Sequence, residues 1–306
     1  MAERWNRKRL TRADALVVGA TCLLLILLVP ALLGKPREQS VRELCEANLA
    51  QIGKIMLLYA NDHGDALPRT GGPTTLWGPV PNWAALPRYP AFGLNANNQG
   101  GTATVSSCLY ILVKYYEAPT RLFLCRGDQG TTEFKLSDFL GRSVPTNCTL
   151  ANLWDFGPRT ESFRHCSYSY HIPFSGYPLT TKRDPNLAVA ADRNPWLMSP
   201  MAGPAIPAFF RPDLSGFGGT PAQACAGNAI AHDKDGQNVL FLDGRVSFEK
   251  RAYCGIDSDN IYLISFSPDR GSPVGTVPAP PAAPSNEHDS VLVHDPNTWS
   301  SGSKTQ

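Results

Sequence analysis

The sequence predicts an α+β fold: an N-terminal transmembrane helix and an amphipathic stalk helix, packed on an antiparallel β-sheet with long loops. Three observations carry that expectation. A nearly unbroken apolar run, Ala15 to Leu33, follows a basic head. An apolar stripe at three- and four-residue spacing then runs from Val41 to Tyr59, the signature of a one-sided helix. Short alternating or apolar segments bounded by turn residues come after it, ending in a hairpin pattern between Asn238 and Phe248.

Arg4, Arg7, Lys8, Arg9 and Arg12 precede the apolar run, and only Glu3 and Asp14 oppose them. The run has about the length that crosses a hydrocarbon core as a helix. The basic flank keeps the N-terminus in the cytoplasm and puts the rest of the chain outside the inner membrane. The run is longer than a signal-peptide core and no small-x-small site follows it, so an uncleaved single-pass anchor is expected. Cys22 follows Thr21 inside the run and does not read as a lipid-attachment site. The expected organisation is a cytoplasmic head (1–14), a membrane helix (15–34), a stalk helix (40–64), a globular extracytoplasmic domain (65–270) and a Pro-, Ser- and Gly-rich tail (271–306).

Lys35-Pro36-Arg37 reads as a break, and Ser40-Val41-Arg42-Glu43 as a capping box that starts a new helix. Val41, Cys45, Leu49, Ile52, Met56 and Tyr59 form its apolar stripe, which needs a sheet to cover it, and Gly64 supplies the stop. Cys45 on that stripe is expected to be a buried, inert thiol. Gly71 to Ser107 is loop-rich, with Trp77, Trp83, Tyr89 and Phe92 either pinning the loop or lining a carbohydrate groove. Ser107 reads as the cap of a short helix that buries Leu109, Leu112, Val113 and Tyr116 and ends at Pro119. Leu122–Cys125, Ser167–Ile172 and Leu187–Ala191 read as strands. Asp192-Arg193, at a strand end, suits an ion pair or a turn cap. Asn238–Phe248 reads as a hairpin closed by Asp243-Gly244 in a type I′ turn. The tail is expected to be solvated, with Asp289–Val293 able to add one edge strand.

Leu10-Thr11-Arg12-Ala13-Asp14-Ala15-Leu16-Val17-Val18 resembles the start of type IV prepilins and type II secretion pseudopilins. The resemblance implies cleavage between Arg9, where the family has Gly, and Leu10. It also implies that Asp14, where the family has Glu, neutralises the new α-amino group of a neighbouring subunit, since a bare charge in lipid is costly. Cys45-Glu-Ala-Asn48-Leu49-Ala-Gln51-Ile52-Gly53, Ser167-Tyr-Ser-Tyr170 and Ala191-Asp-Arg-Asn-Pro195 resemble phrases of a bacterial pseudopilin-like family. So does His232 followed by Gln237-Asn238-Val-Leu-Phe-Leu-Asp243-Gly244. Together these cover most of residues 10–270 and speak to architecture more than to activity. They imply an assembly or surface-binding role, with the lipid bilayer and other pilin-like subunits as partners. Major pseudopilins of secretion systems carry a calcium loop near the C-terminus, which makes Asp257 and Asp259 candidate Ca2+ ligands here. Asp233-Lys-Asp235-Gly236 imitates part of an EF-hand, but Ala231 and Leu242 occupy ligand positions.

The composition narrows the remaining chemistry. Lys and Arg total 28 against 26 Asp and Glu, a net charge of +2, and no basic stripe lies outside the head, which argues against a nucleic-acid surface. No G-x-S-x-G, H-E-x-x-H or P-loop is present, so no enzymatic activity and no cofactor besides calcium is expected. A hydrolytic triad would have to be assembled from His63, His171 or His232 without a motif. Polysaccharide binding by the Trp77–Phe92 loop is the alternative to assembly. No C-x-x-C and no His pair at ligand spacing occur, so zinc is not indicated, and His232 is expected to bond a carboxylate or backbone group. With Cys22 in the membrane and Cys45 buried, six of the eight cysteines remain. Sequence proximity pairs Cys108 with Cys125, Cys148 with Cys166, and Cys225 with Cys254.

Overall fold

The computed structural model describes residues 12–197 and 210–299, with backbone alone for 12–15 and 25–37. Arg9 and Leu10, and the side chain of Asp14, lie outside the described residues. The first element, α1 (Arg12–Asp62), is one continuous helix, so the break expected at 35–37 and the fresh start at Ser40 are absent. Pro36 removes one backbone donor, while its neighbours Lys35, Arg37, Glu38 and Gln39 favour helix. The chain divides into two compact units, 1–41 and 42–306. In the first, Leu16, Val17, Val18, Leu23 and Leu24 are exposed. Among the described residues, no helix is long and apolar enough to cross a membrane.

In the second unit, α1 buries Cys45, Leu49, Ile52, Met56 and Tyr59 of the expected stripe, while Val41, in the first unit, is half-buried. It stops at Gly64 (φ 62°) with Asp65 N–H donating to the Ala60 carbonyl at 2.8 Å. Next come β1 (Leu76–Trp77), α2 (Arg88–Phe92), β2 (Thr102–Ala103), which pairs with β1 in parallel, and α3 (Val105–Tyr116). The cap of α3 is Thr104, not Ser107: Thr104 Oγ1 accepts from Ser107 N–H at 3.0 Å. Leu122–Cys125 is not a strand. Thr120–Phe123 forms a 3-10 turn, with Leu122 N–H on the Pro119 carbonyl, and one turn suffices to bury Leu122 and Phe123.

The remaining elements are β3 (Tyr168–His171), β4 (Ala188–Asp192), α4 (Pro221–Cys225), β5 (Gln237–Phe241), β6 (Val246–Glu249), β7 (Ile264–Ser265), β8 (Gly275–Thr276) and β9 (Leu292–Val293). The main sheet runs β6-β5-β4-β3-β9, antiparallel throughout. Its three central strands are buried at every residue, which suits the small side chains of Ala188-Val-Ala-Ala191. Gly53 of α1 lies against β5 so closely that a Cβ there would be 2.8 Å from Leu240 Cδ1. Val239 and Phe241, on the opposite face, join Trp196, Phe210, Ile261 and Tyr262 in an apolar cluster.

Two expectations are corrected here. The β5–β6 hairpin closes through Phe241 N–H to the Arg245 carbonyl and Gly244 N–H to the Phe241 carbonyl, a three-residue loop. Gly244 alone takes a positive φ (86°), so the turn is type I followed by a glycine bulge, not type I′. The expected tail is ordered through residue 299. β9 is an edge strand on β3, and Asp289 to Asp295 are buried. Its polar groups find partners inside the fold, which removes the reason to stay solvated.

Two carboxylates hold the start of α3. Asp295 accepts from the backbone N–H of Val105 and Ser106 at 2.9 and 2.8 Å, and from Trp77 Nε1 at 3.0 Å. Asp155 accepts from Thr104 Oγ1, Ser106 Oγ and Phe156 N–H at 2.5, 2.7 and 2.8 Å. Burial, with the Asp295 charge adding to it, pushes the Asp155 carboxyl up to about 7. A folded-state value above the unfolded one means the native state holds the proton longer. Asp155 therefore opposes folding increasingly as pH rises from the usual carboxylate range to neutrality. Urea titrations should show a stability loss on the order of 3 kcal/mol from this group between about pH 5 and about pH 8. Asp155→Asn should flatten that part of the profile, and an unchanged slope would remove Asp155 as its source.

Candidate functional site

The phrases singled out along the sequence converge on one buried centre beside α1. Asp192 ends β4, one step beyond the Ala191–Val239 pair, which sets it beside Asn238 of β5. Asn238 donates its backbone N–H to Asp192 Oδ2 at 2.7 Å and its Nδ2 to the same oxygen at 3.2 Å. His232 reaches the centre from a 3-10 turn, Ile230–His232, just ahead of β5. Asp233 and Lys234 then take left-handed conformations (φ 54° and 63°), which reverses the chain within two residues. Gly236 passes so close to the Glu249 carbonyl that a Cβ would sit 2.4 Å from the oxygen.

His232 Nε2 lies 3.1 Å from Asp192 Oδ2, 3.3 Å from Asn238 Nδ2 and 3.8 Å from Cys125 Sγ. The ring packs edge-on against Phe248, over which the Arg42 guanidinium sits 4.2 Å from the ring centre. Arg42 also pairs with Asp235 at 2.8 Å. Cys125, at the exit of the 3-10 turn, forms a disulfide with Cys45 of α1, their Cα atoms 5.3 Å apart. Cys45, Cys125, Asp192 and His232 are all buried, and one donor atom from each lies within 4.8 Å of the others. Among the described residues, this is the one such group of three or more side chains able to hold a metal ion.

The flanking phrases support this centre. Tyr168 of the Ser-Tyr-Ser-Tyr strand donates to the Cys45 carbonyl at 3.4 Å, and Asn48 Nδ2 donates to the Leu124 carbonyl at 2.9 Å. Arg193 pairs with Asp128 at 3.0 Å, both nearly out of contact with water, and donates to the Cys166 and Phe163 carbonyls. Burial raises the Asp128 carboxyl, with the Arg193 charge opposing it. Asn194 Nδ2 donates to the Tyr262 and Leu292 carbonyls at 2.8 and 2.9 Å, stitching β9 to the core.

Several expected site residues lie elsewhere. Asp243 and Gly244 form the hairpin tip, where Asp243 Oδ1 accepts from Arg245 N–H at 2.9 Å. Asp257 is exposed. Asp259 is buried, its two carboxylate oxygens accepting from the backbone of Ser272 and Ser290. Burial and the neighbouring Asp289 hold the Asp259 carboxyl well above its usual range. No proximity disulfide forms: Cys108, Cys148, Cys166, Cys225 and Cys254 are free thiols, as is Cys22. Burial pushes the Cys108 and Cys166 thiols up to about 12. Cys45, expected as an inert thiol, is instead the partner of Cys125, because the stripe of α1 faces the 3-10 turn.

Among the described residues, the contacts around the three histidines singled out in the sequence are not arranged as a hydrolytic relay. A triad places its acid on one imidazole nitrogen and its nucleophile on the other. Here Asp192 and Cys125 both crowd Nε2 of His232. His63 stacks on Tyr59, ring centres 3.8 Å apart. His171 lies between the Ile172 and Asp289 carbonyls, its pKa lowered to about 4 by burial. Trp77, Trp83 and Phe92 are buried anchors, while Tyr89 of the same loop is exposed. An open groove of about 430 Å³ is lined among others by Tyr59, His63, Arg69, Tyr115 and Trp154, with Arg88 and Phe92 from that loop.

The sequence pointed to His232 and Asn238 through the hairpin phrase, and named Asp192 at its strand end. It missed the meeting of Cys45 with Cys125, and no local spacing signals that contact. Peptide mapping without reductant should recover one linked pair, Cys45–Cys125. Replacing both by Ala should lower unfolding stability by about 4 kcal/mol, given the 80-residue separation. A linked Cys108–Cys125 peptide would overturn the assignment.

Compared with family models, with curated proteins and with solved structures, the chain matches none.

Proposed function

We propose that the chain is a membrane-anchored, pseudopilin-like envelope protein with an assembly or surface-binding role. In this reading it spans a bacterial inner membrane once, N-terminus in the cytoplasm, with its α+β domain outside. The observation that carries it is the exposure of Leu16, Val17, Val18, Leu23 and Leu24, 56–75 % each, along one stretch of α1. Such a surface in water is unfavourable and calls for lipid or other apolar helices as its surroundings. The prepilin-like string around Leu10 and the convergence of the pseudopilin-like phrases on one centre supply the rest.

The chain should stay in the membrane pellet after alkaline carbonate washing, and release into the supernatant would overturn the anchor. Mass spectrometry of the mature N-terminus then separates the two roles. A chain starting at N-methylated Leu10 is the outcome expected for a filament subunit, with Asp14 facing a neighbour's amino group. A start at Met1 or Ala2 would remove assembly and leave a static anchor.

A second reading, polysaccharide binding, is favoured by the groove alone, where Tyr115 is 55 % exposed and Arg88 lies alongside. Aromatic faces beside a guanidinium suit sugar rings that carry acidic groups. Affinity electrophoresis through an acidic polysaccharide should retard the protein, and the Arg88→Ala, Tyr115→Ala double variant should migrate freely. Equal mobility with and without polysaccharide would rule this reading out.

A further inference from the structure

We propose that Cys45, Cys125, Asp192 and His232 form a four-ligand site for a zinc-class divalent cation when the two cysteines are reduced. The metal-bound dithiolate and the disulfide are then alternative states of one centre. The inference stands whether or not the chain assembles into filaments.

The donor set comes first. Two thiolates, an imidazole and a carboxylate suit a borderline-soft, tetrahedral cation, and suit calcium or magnesium poorly. Geometry comes next. One donor atom from each of the four lies within 4.8 Å of the others. A tetrahedral zinc site with its usual bond lengths spaces its ligand atoms about 3.3–3.8 Å apart, so small side-chain adjustments suffice. The four ligands come from α1, the 3-10 turn exit, β4 and the turn before β5, elements already fixed by the surrounding sheet and apolar core.

A further observation points into the centre. Asp192 has no exposed surface, and among the described residues its Oδ1 has no hydrogen-bond partner. A carboxylate oxygen left that way is costly, and a cation would satisfy it. His232 Nε2 also faces both an acceptor, Asp192 Oδ2, and a donor, Asn238 Nδ2. A cation takes the Nε2 lone pair and the carboxylate together, while Asn238 goes on donating to Oδ2 and orients that oxygen. All four ligands are buried, which matches a closed structural site rather than a catalytic one with an open position.

The exchange between states balances with an organic disulfide, RSSR, as oxidant. The Cys45 and Cys125 thiolates give two electrons to RSSR. Its S–S bond breaks to two RS−, the Cys45–Cys125 bond forms, and the cation leaves with its charge unchanged.

The test uses the full chain in detergent, reduced with a phosphine and titrated with Co2+ as the spectroscopic probe for Zn2+. One equivalent of Co2+ should bring up visible ligand-field bands of tetrahedral intensity and a thiolate-to-cobalt charge-transfer band. Zn2+ should displace it, and oxidised glutathione should bleach it while closing the disulfide. The Cys45→Ser, Cys125→Ser double variant, which keeps the other six thiols, should lack the charge-transfer band. His232→Gln and Asp192→Asn should each weaken Co2+ binding tenfold or more, as judged by competition with a chromophoric chelator. A reduced, folded chain without the band overturns the proposal, and so does a band that survives the double serine variant. If reduction unfolds the chain, Co2+ should restore its far-ultraviolet dichroism, and failure to do so is equally a refutation.

Discussion

Asp192 is a carboxylate with no exposed surface, and the centre of the domain is arranged by what that requires. A charge withdrawn from water must be met by donors or by opposite charge. Asn238 supplies a backbone and a side-chain N–H, and the His232 ring lies at 3.1 Å. Those contacts exist only if β5 pairs with β4 in the register that sets Ala191 opposite Val239. A slip of one residue would turn Asn238 to the other face and strand the carboxylate, so register and ion satisfaction enforce each other. The left-handed residues Asp233 and Lys234 belong to the same arrangement, since the chain must reverse sharply to bring His232 back over β4. Cys45 and Cys125 close the remaining side and tie α1 to the centre.

The C-terminal segment follows a related logic with little hydrophobic drive. β9 is two residues long, yet Asp289 to Asp295 are buried. Leu292 N–H meets the Ile261 carbonyl at 2.8 Å, and Asn194 meets the Leu292 carbonyl. Asp289 accepts from Ser265 and Ser285, while Asp295 caps α3 and holds the Trp77 indole. Polar satisfaction, rather than an apolar pattern, places this stretch. That is why its Pro-, Ser- and Gly-rich composition read as a solvated tail.

What was legible in the sequence follows the same division. The stripe Cys45, Leu49, Ile52, Met56, Tyr59 could be read because one-sided burial of a helix forces a 3.6-residue period. β3 could be read from the alternation of Tyr168, Ser169 and Tyr170, and β4 from its unbroken run of small apolar residues, which suits a doubly covered strand. The hairpin was legible from Asp243-Gly244 but its turn type was not. The same dipeptide serves a two-residue loop or a three-residue loop with a bulge, and the choice depends on whether Leu242 pairs or turns. The disulfide and the four-donor centre were illegible for one reason. Spacing rules detect ligands that share a helix or a knuckle, and here each ligand comes from a different element. Cys125 is nearer in sequence to Cys108 and Cys148, but three-dimensional adjacency to the α1 stripe decided its partner.

The position of that cross-link bears on how α1 would part from the sheet. Cys45 lies at the start of the buried part of α1, just past Arg42, where the second unit begins. Beyond it, the contact of α1 with the sheet rests on Leu49, Ile52, Met56 and Tyr59, apolar side chains whose grip is non-directional and lost cooperatively once water enters. A helix under axial load peels from the loaded end. A bond at the first buried turn meets that load before the stripe does, and peeling then requires the bond to break or the whole second unit to unfold. If the same two sulfurs bind a cation instead, the tether becomes coordinate, and its strength depends on metal supply and pH, since thiolate and imidazole donors must be deprotonated. The domain would then hold its helix by a link that the chemistry of its surroundings can set.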